Sequence, residues 1–298
     1  MAYGEIYKTT WWGLPVQFGW GGIYFDLTSV PLNGFVFDVD TTKVGISNST
    51  QFQLPLPSSG YTVNAEVDWG DGSTDTITNY NQAEKLHTYS TSGTYTITIT
   101  GTLEGWDLSY GENLKIKEVK NWGGGNGLTL TRANAFISAS NMTCIATDKP
   151  NIQTTSFQQM FRQCTSLVSG LKNWDVSGVT TLIFCFYNAN VFNEDLSSWD
   201  VSSVTTFKYC FERCYNLDQN FASWDMSSAT DVGRMFKSTT MSTANYDATL
   251  IGWASQSLNS NLSIDFGNAT YTAGGAAESA RNTLINTFGW TIVDGGAA

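Results

Sequence analysis

The chain has 298 residues, is 41% hydrophobic and carries a formal net charge of −11. A chain of this length and composition can bury the cores of two or three domains, so we expect it to be folded throughout. The negative charge opposes the phosphates of nucleic acid and an anionic membrane surface, and no apolar run approaches the roughly 18 to 20 residues that cross a bilayer. Nucleic acid and membranes are therefore not expected partners.

Residues 1–32 are rich in large aromatic residues and in glycine. No helical or strand period persists there, so we expect an irregular arm whose rings adhere to another surface. That surface belongs either to the same chain or to another protein, and the second alternative predicts an anchoring arm. Its candidate contact residues are Tyr7, Trp11, Trp12, Phe18, Trp20 and Tyr24.

The N-terminus has neither the basic start nor the apolar core of a secretory signal peptide. Tyr3-Gly4, Tyr7 and the segment 10–13 (Thr-Trp-Trp-Gly) resemble the opening of small virion proteins of tailed bacteriophages. The resemblance implies that the arm attaches the protein to other virion proteins.

Residues 33–101 alternate apolar and polar side chains, which is typical of half-buried strands, at 34–40, 52–54, 63–69 and 94–100. These segments predict a small all-β sandwich. Between them, residues 68–73 read Asp-Trp-Gly-Asp-Gly-Ser, and residues 87–95 contain His-x-Tyr and then Gly-x-Tyr. This pattern resembles the signature of PKD domains, which are immunoglobulin-like β-sandwiches of surface proteins.

The residues of this signature have expected structural roles. Trp69 fills the space between the sheets, Gly70 and Gly72 take the positive φ of a tight turn, and Asp71 accepts hydrogen bonds from the backbone of the turn. We expect packed structural positions, not catalytic ones, for His87, Tyr89 and Tyr95.

Three acidic residues near this turn have an alternative interpretation as calcium ligands. They are more often turn formers, because a calcium loop needs more oxygen ligands in a defined order. The residues are Asp68, Asp71 and Asp75.

Residues 157–236 repeat with a period of 25. The sequence Trp-Asp-Val-Ser at 174–177 recurs at 199–202 and, with Met for Val, at 224–227. A fixed period of this length indicates a solenoid, in which each turn buries its apolar face against its neighbours. The apolar spacing at 204–214 fits one face of a helix, and the alternation at 196–201 fits a short strand in a parallel ladder. The repeated tryptophans Trp174, Trp199 and Trp224 are expected to be structural.

The five cysteines lie in or beside the repeats. Cys185 and Cys210 share a repeat column with Met160 and Met235, so we expect small buried hydrophobic side chains. A disulfide between stacked turns and a metal site are the alternatives, although a zinc site would want histidine or paired cysteine ligands. The cysteines are Cys144, Cys164, Cys185, Cys210 and Cys214.

The repeats resemble the 25-residue leucine-rich-like units of BspA-like surface proteins, whose pattern is nearly intact from Phe192 to Phe211. An irregular first turn begins near Phe136, 25 residues before Phe161. The resemblance implies an α/β solenoid, and residues 246–298, with two short helices and a strand, resemble the closing segment that follows such repeats.

The repeated acids at 175, 200 and 225 are expected to form turns. Glu194 and Asp195 could form a carboxylate pair of the kind that glycosidases use, but their equivalents in the next repeat are Gln219 and Asn220, and adjacent residues on a strand face opposite ways. The sequence therefore predicts no enzyme activity and no catalytic, cofactor or metal site.

The fold class predicted is multidomain and mostly β with short helices. The expected parts are an anchoring arm (1–32), a PKD-like sandwich (33–101), a leucine-rich-like solenoid with an N-terminal cap (102–245) and a C-terminal cap (246–298). The expected function is a structural or adhesive protein of a tailed-phage virion, as a capsid decoration, head fibre or tail-associated protein. It would form a homo-oligomer, bind other virion proteins through its arm and bind host-surface glycans through its outer domains. The alternatives are a secreted adhesin on the bacterial cell surface and a polysaccharide-degrading tailspike.

Overall fold

The structure is a computed structural model that describes residues 33–57 and 60–298, together with two short strands nearer the N-terminus. It divides the chain into two compact units, Met1–Asn33 and Gly34–Ala298. In the first unit, β1 (Gln17–Gly19) and β2 (Gly22–Tyr24) pair as an antiparallel hairpin. The expectation that residues 1–32 contain no regular structure is therefore wrong for these strands, whose pairs run from Gln17 with Tyr24 to Gly19 with Gly22.

Of the expected arm residues, Phe18 lies on β1 and Tyr24 lies on β2. The side chains of these two residues lie outside the described part of the chain. The other four expected arm residues lie wholly outside it, and they are Tyr7, Trp11, Trp12 and Trp20.

The second unit is mostly β, with several sheets and two short α-helices. Single turns of 3-10 helix occupy Ala83–Lys85 and Leu108–Tyr110. The strands up to residue 152 are β3 (Phe35–Asp40), β4 (Gln51–Gln53), β5 (Val63–Asp68), β6 (Thr74–Ile77), β7 (Leu86–Thr88), β8 (Thr94–Leu103), β9 (Ile116–Asn121), β10 (Gly127–Leu130), β11 (Thr143–Cys144) and β12 (Asn151–Ile152).

The largest sheet has eight strands. Its main path is β11-β9-β3-β8-β10-β12, and β5 pairs with β8 and with β6, while β4 and β7 form a separate antiparallel pair. The strands expected from the alternating patterns at 34–40, 63–69 and 94–100 are confirmed. Because β9 pairs with β3 and β10 pairs with β8, this sheet joins strands on both sides of residue 101.

Strand β5 illustrates why these residues form a sheet with one buried face. Val63, Ala65 and Val67 are buried and the three residues between them are exposed, as a period of two requires. Strand β3 is instead buried from Phe35 to Val39, so its side chains are covered on both faces of the sheet.

Residues 134–241, here called the repeat stack, hydrogen-bond from one 25-residue unit to the next. Parallel bridges join Ser156, Thr181, Thr206 and Asp231 in succession. On the adjoining segment, the N–H groups of residues 157, 159, 161 and 163 donate to the carbonyls of 181, 183, 185 and 187, and the same set recurs one repeat later. Every second residue of this segment therefore forms a backbone hydrogen bond to the next repeat, as in a parallel ladder.

The helix expected at residues 204–214 is wrong. The segment is a run of tight turns, in which Cys210 N–H donates to the Phe207 carbonyl and Cys214 N–H donates to the Phe211 carbonyl. Tyr209 and Arg213 have φ values of 58° and 64°, and residues in this left-handed region interrupt a right-handed helix. Consecutive tight turns place apolar residues at a spacing close to that of a helix. The apolar pattern therefore did not distinguish these turns from a helix.

The expected strand at residues 196–201 is also wrong, because no strand or bridge is found there among the described residues. The parallel ladder lies after the Trp-Asp-Val-Ser motif, at Thr181 and Thr206.

A ladder of phenylalanine rings fills the centre of the repeat stack. Successive rings are 5.2 to 5.7 Å apart between centroids and lie within 16° of parallel. All five cysteines are free and buried, which confirms the expected small hydrophobic role. The ladder consists of Phe136, Phe161, Phe186, Phe211, Phe236 and Phe266.

The C-terminal segment contains α1 (Thr243–Ala254), β13 (Ser263–Asp265), α2 (Ala276–Asn286) and β14 (Thr291–Val293), which confirms the two expected helices. It continues the ladder of the last repeat, because Phe236 N–H donates to the Asp265 carbonyl at 3.1 Å. Across the segment, Asp294 accepts hydrogen bonds from Tyr246 and Arg281 at 2.7 Å each.

Among the described residues, no helix is long and apolar enough to cross a membrane.

Candidate functional site

Four of the singled-out residues near the Asp-Trp-Gly-Asp-Gly turn form one continuous stack of rings. Trp69 and His87 stack at 4.7 Å and 9°, His87 meets Tyr89 edge-on at 4.5 Å, and Tyr89 stacks on Tyr95 at 3.7 Å. Tyr89 Oη also donates to the Trp69 carbonyl at 3.1 Å. The stack joins β5, β7 and β8 and belongs to the interior, with Trp69 and Tyr89 almost fully buried.

Asp71 fixes the turn beside this stack. Its Oδ1 accepts from the N–H and hydroxyl of Ser73 at 3.0 and 2.6 Å, and its Oδ2 lies 2.9 Å from His87 Nε2. Partial burial raises the pKa of the Asp71 carboxyl, but the hydrogen bonds from Ser73 and His87 outweigh it and lower the pKa to about 2. The Ser73 hydroxyl is directed to Asp71 and not to His87, so this arrangement orders a turn and does not pair a nucleophile with a base.

The three acids considered as calcium ligands each have a hydrogen-bond donor. Asp68 accepts from Gly70 N–H at 2.9 Å, and Asp75 accepts from Trp69 Nε1 at 2.8 Å. Gly70 and Gly72 have φ values of 79° and 92°, which confirms the positive φ expected for this turn. Within the described ranges, no cluster of three or more His, Cys, Asp or Glu residues suits a metal ion.

In the repeated Trp-Asp motifs, the tryptophan lies in the core and the aspartate forms a turn. Trp174, Trp199 and Trp224 are buried. Asp175 and Asp200 accept hydrogen bonds from the serine two residues later, and the serine hydroxyl is the main cause that lowers the pKa of each carboxyl.

The carboxylates of Glu194 and Asp195 bind different parts of the chain. Glu194 accepts from the N–H groups of Gly170 and Leu171 at 3.0 and 2.7 Å, whereas Asp195 accepts from Ser197 N–H at 2.9 Å. They hold two backbone segments and do not face one another across a substrate-sized space as a glycosidase pair does.

A surface of the repeat stack that the sequence did not single out combines aromatic rings with cations. Its rings are half-buried and lie on the turn segments of two successive repeats. We call this surface the ring–cation patch. It consists of Arg162, Phe184, Tyr187, Lys208, Tyr209, Arg213 and Arg234.

The rings of the patch form a platform. Phe184 and Tyr209 stack with centroids 4.5 Å apart and planes within 9°, and Tyr187 meets Phe184 edge-on at 5.4 Å. Parallel stacking across the repeats follows from the 25-residue period, which places residue 209 beside residue 184 in the next unit.

Cations surround the platform. The guanidinium groups of Arg162 and Arg213 both lie 5.7 Å from the Tyr187 ring centroid. Around Tyr209, the Lys208 ammonium lies at 5.6 Å and the Arg234 guanidinium at 5.3 Å. Both distances are within the range of cation–π attraction.

The backbone beneath the rings is in an unusual conformation. Phe184 and Tyr209 have φ values of 55° and 58°, at the repeat position that Gln159 and Arg234 occupy with φ values of 63° and 57°. A bulky residue costs about 1 kcal/mol or more in this left-handed region, which glycine or asparagine enters more easily. Residues 159, 184, 209 and 234 occupy the same position in successive repeats, and aligning the repeats with the turns known shows that they share one surface. If the segment is interpreted as a helix, this surface is not apparent.

Two charged side chains at the patch have buried atoms without a hydrogen-bond partner among the described residues, Arg162 Nε and Glu212 Oε2. The other oxygen of Glu212 accepts from Arg234 at 2.5 Å. An unpaired buried donor and acceptor are costly, and such atoms often face a ligand or water.

Two depressions lie elsewhere on the second unit. A cavity of about 470 Å³ runs between residues 149–155 and 175–178, where Lys149 and Asp175 approach to 4.0 Å. A second, of about 280 Å³, adjoins Cys144 and Glu194, and burial raises the pKa of the Cys144 thiol to about 12. Neither cavity is lined by an aromatic ring from the described part of the chain, so neither offers a stacking platform.

Residues 134–273 match a family described as Mycoplasma protein of unknown function, DUF285. The match begins with the first irregular repeat, contains the whole ring–cation patch and continues into the C-terminal segment. No curated protein and no solved structure matches the chain. The chain is therefore similar to this family across its repeats, and the similarity does not extend to residues 1–133.

Proposed function

We propose that the protein is an adhesive surface protein that binds glycans through the ring–cation patch. The observation that carries the proposal is the stacked pair of Phe184 and Tyr209 at the surface. Because the two rings cover one face of each other, a sugar would pack its apolar face against the part of the rings that stays exposed, and neighbouring arginine and lysine groups donate hydrogen bonds to its hydroxyls.

We also propose the finer fold that the resemblances imply. The hydrogen bonds that recur every 25 residues support a leucine-rich-like solenoid, and the ring stack of Trp69, His87 and Tyr89 supports a PKD-like sandwich. In a stacked repeat, side chains at one column form a continuous surface, which suits binding to a long polymer.

The proposed carrier is a tailed-phage virion, to which the N-terminal arm attaches the protein through other virion proteins. The basis is the resemblance of residues 3–13 to virion proteins. The bacterial cell surface is the alternative carrier, and the similarity of residues 134–273 to a mycoplasma family favours it. We propose binding without enzymatic cleavage, since the carboxylates of Glu194 and Asp195 are committed to backbone donors.

The test is glycan binding by the whole chain and by a variant in which Phe184 and Tyr209 are both replaced by Asn. Asparagine tolerates the left-handed conformation, so the turns are kept while the rings are lost. We expect a loss of about tenfold or more in affinity, since each aromatic contact is worth roughly 0.5 to 1.5 kcal/mol.

Gln159→Asn is the matched control, because residue 159 has the same backbone conformation one repeat earlier and carries no ring. Equal binding by the double variant and by the control would refute the proposed site. Antibody labelling of virions and of bacterial cells separates the two carriers.

A further inference from the structure

We propose that the ring–cation patch selects acidic glycans, whose carboxylates are bound by the guanidinium groups of Arg162 and Arg213. This inference rests on the proposed glycan-binding function and adds the class of ligand.

The charge of the patch is opposite to that of the protein. The chain as a whole has a net charge of −11 and five arginines, of which three lie in the patch beside Lys208. Against these four cations stand two acids, because Glu212 pairs with Arg234 and Asp231 approaches Lys208 at 3.3 Å. A positive patch on an acidic surface directs an anionic ligand to this face of the stack.

The two arginines beside Tyr187 lack carboxylate partners. Neither Arg162 nor Arg213 forms an ion pair with a described residue, and Arg162 Nε is buried without a hydrogen-bond acceptor. A carboxylate accepts two parallel hydrogen bonds from the edge of a guanidinium that pairs with no other carboxylate.

The patch follows the axis of the repeat stack. Arg162, Tyr187, Tyr209 and Arg234 come from four consecutive repeats, which neighbour one another at a spacing of about 4.8 Å in a parallel ladder. A linear polysaccharide lying along the stack would therefore place sugar rings on the platform and carboxylates on the flanking cations. A short or branched neutral glycan uses the platform alone.

Single-stranded nucleic acid also presents flat rings and anions. The carboxylates of Asp231 and Glu212, which pair with Lys208 and Arg234 of the patch, can accept hydrogen bonds from sugar hydroxyls, and the sugar–phosphate backbone of DNA offers no such donors. The observations therefore favour the acidic glycan, and oligothymidylate serves as a competing ligand in the test.

The test compares polygalacturonate, alginate and hyaluronan with the same polymers after reduction of their carboxyl groups, using the whole chain and calorimetry. We expect at least one acidic polymer to bind, and its reduced form to bind about tenfold or more weakly, because hydrogen bonds to charged groups are the stronger class. Binding should weaken between about 0.05 and 0.3 M sodium chloride, since exposed ion pairs are screened.

The variant R162Q/R213Q should weaken the binding of the acidic polymer about tenfold or more and that of the reduced polymer by a smaller factor, so that the preference for the acidic polymer is lost. K149Q/K172Q is the matched control, because it removes two positive charges from exposed lysines outside the patch. Equal binding of acidic and reduced polymers would overturn this inference and leave the glycan proposal intact. If no polymer of either kind binds, both proposals fail, and tighter binding of oligothymidylate would replace the glycan with nucleic acid.

Discussion

The indole Nε1 of Trp199 donates a 3.0 Å hydrogen bond to the carbonyl oxygen of Leu171, 28 residues earlier in the chain. Trp224 repeats the bond with Leu196 one unit later, and Trp253 of α1 repeats it with Phe221. Each tryptophan therefore ties its own repeat to the preceding one, both by apolar burial and by satisfying a buried carbonyl. The first tryptophan of the series, Trp174, differs, because its Nε1 is buried without a partner among the described residues.

This difference gives a prediction about stability. Trp199→Phe keeps an aromatic ring but removes the indole donor, so the Leu171 carbonyl keeps only the hydrogen bond from Trp174 N–H. We expect a loss of about 0.5 to 1.5 kcal/mol for the lost hydrogen bond in addition to the smaller ring. Denaturant unfolding followed by circular dichroism measures the loss.

Trp174→Phe is the control, since it removes the same atoms and no hydrogen bond to a described residue. We expect it to cost less than Trp199→Phe by about 0.5 to 1.5 kcal/mol. If both variants lose the same free energy of unfolding, the inter-repeat hydrogen bond does not stabilise the stack.

A second prediction concerns a fully buried ion pair in the β-rich part of the second unit. Lys115 Nζ lies 3.2 Å from Glu112 Oε2 and donates to the carbonyls of Ser47, Asn48 and Gln51 at 3.1, 2.9 and 2.8 Å. Lys115→Met leaves the Glu112 carboxylate without its cation and removes one donor from each loop carbonyl, although the Asn48 and Gln51 carbonyls each keep a second donor. We expect a destabilisation of about 3 to 5 kcal/mol, measured by urea unfolding.

The double variant K115M/E112Q separates charge from packing. Removing the second charge should recover part of the loss, because the remaining cost is that of the lost hydrogen bonds from Lys115 to the loop carbonyls. A double variant less stable than Lys115→Met would contradict this account.

The elements that the sequence predicted well have local causes. The alternation in β5 and β8 reflects one buried face, and the apolar spacing in α1 reflects one packed face. Each pattern therefore predicts its own element from local sequence alone. The turns of the repeat stack have no such signal. Phe184, Tyr209 and Arg234 take positive φ, where sequence reasoning expects glycine or asparagine, because hydrogen bonds from the neighbouring repeats impose the conformation. These residues belong to the ring–cation patch, so sequence reasoning did not find the candidate site.

A third prediction concerns pH. The pKa of Asp71 is lowered to about 2 in the folded protein, against an ordinary value of about 3.9 in an unfolded chain. A carboxyl whose pKa is lowered by folding adds stability above its ordinary pKa, and this stability is lost as the pH falls through the folded value.

The measurement is the free energy of unfolding of the wild type and of Asp71→Asn between pH 7 and pH 2. We expect the advantage of the wild type to be constant above pH of about 4 and to shrink between about pH 4 and pH 2. A difference that stays constant over this window would show that the carboxylate charge does not stabilise the turn.

The last prediction separates binding from stability at the patch. Tyr209→Gly removes a half-buried ring that stacks on Phe184, but it also removes the cost of a bulky residue at a φ of 58°. Glycine relieves about 1 kcal/mol of backbone strain and gives up roughly the same amount in ring contacts and backbone entropy. We therefore expect the free energy of unfolding to change by less than about 1 kcal/mol while glycan binding falls about tenfold.

Phe186→Gly provides the contrast, because Phe186 belongs to the buried ladder and stacks on both Phe161 and Phe211. Its removal should cost about 3 to 5 kcal/mol or more by opening a cavity in the stack. If Tyr209→Gly were as destabilising as Phe186→Gly, the ring of Tyr209 would belong to the core. A surface ring whose removal costs little stability and much binding is what a binding surface requires.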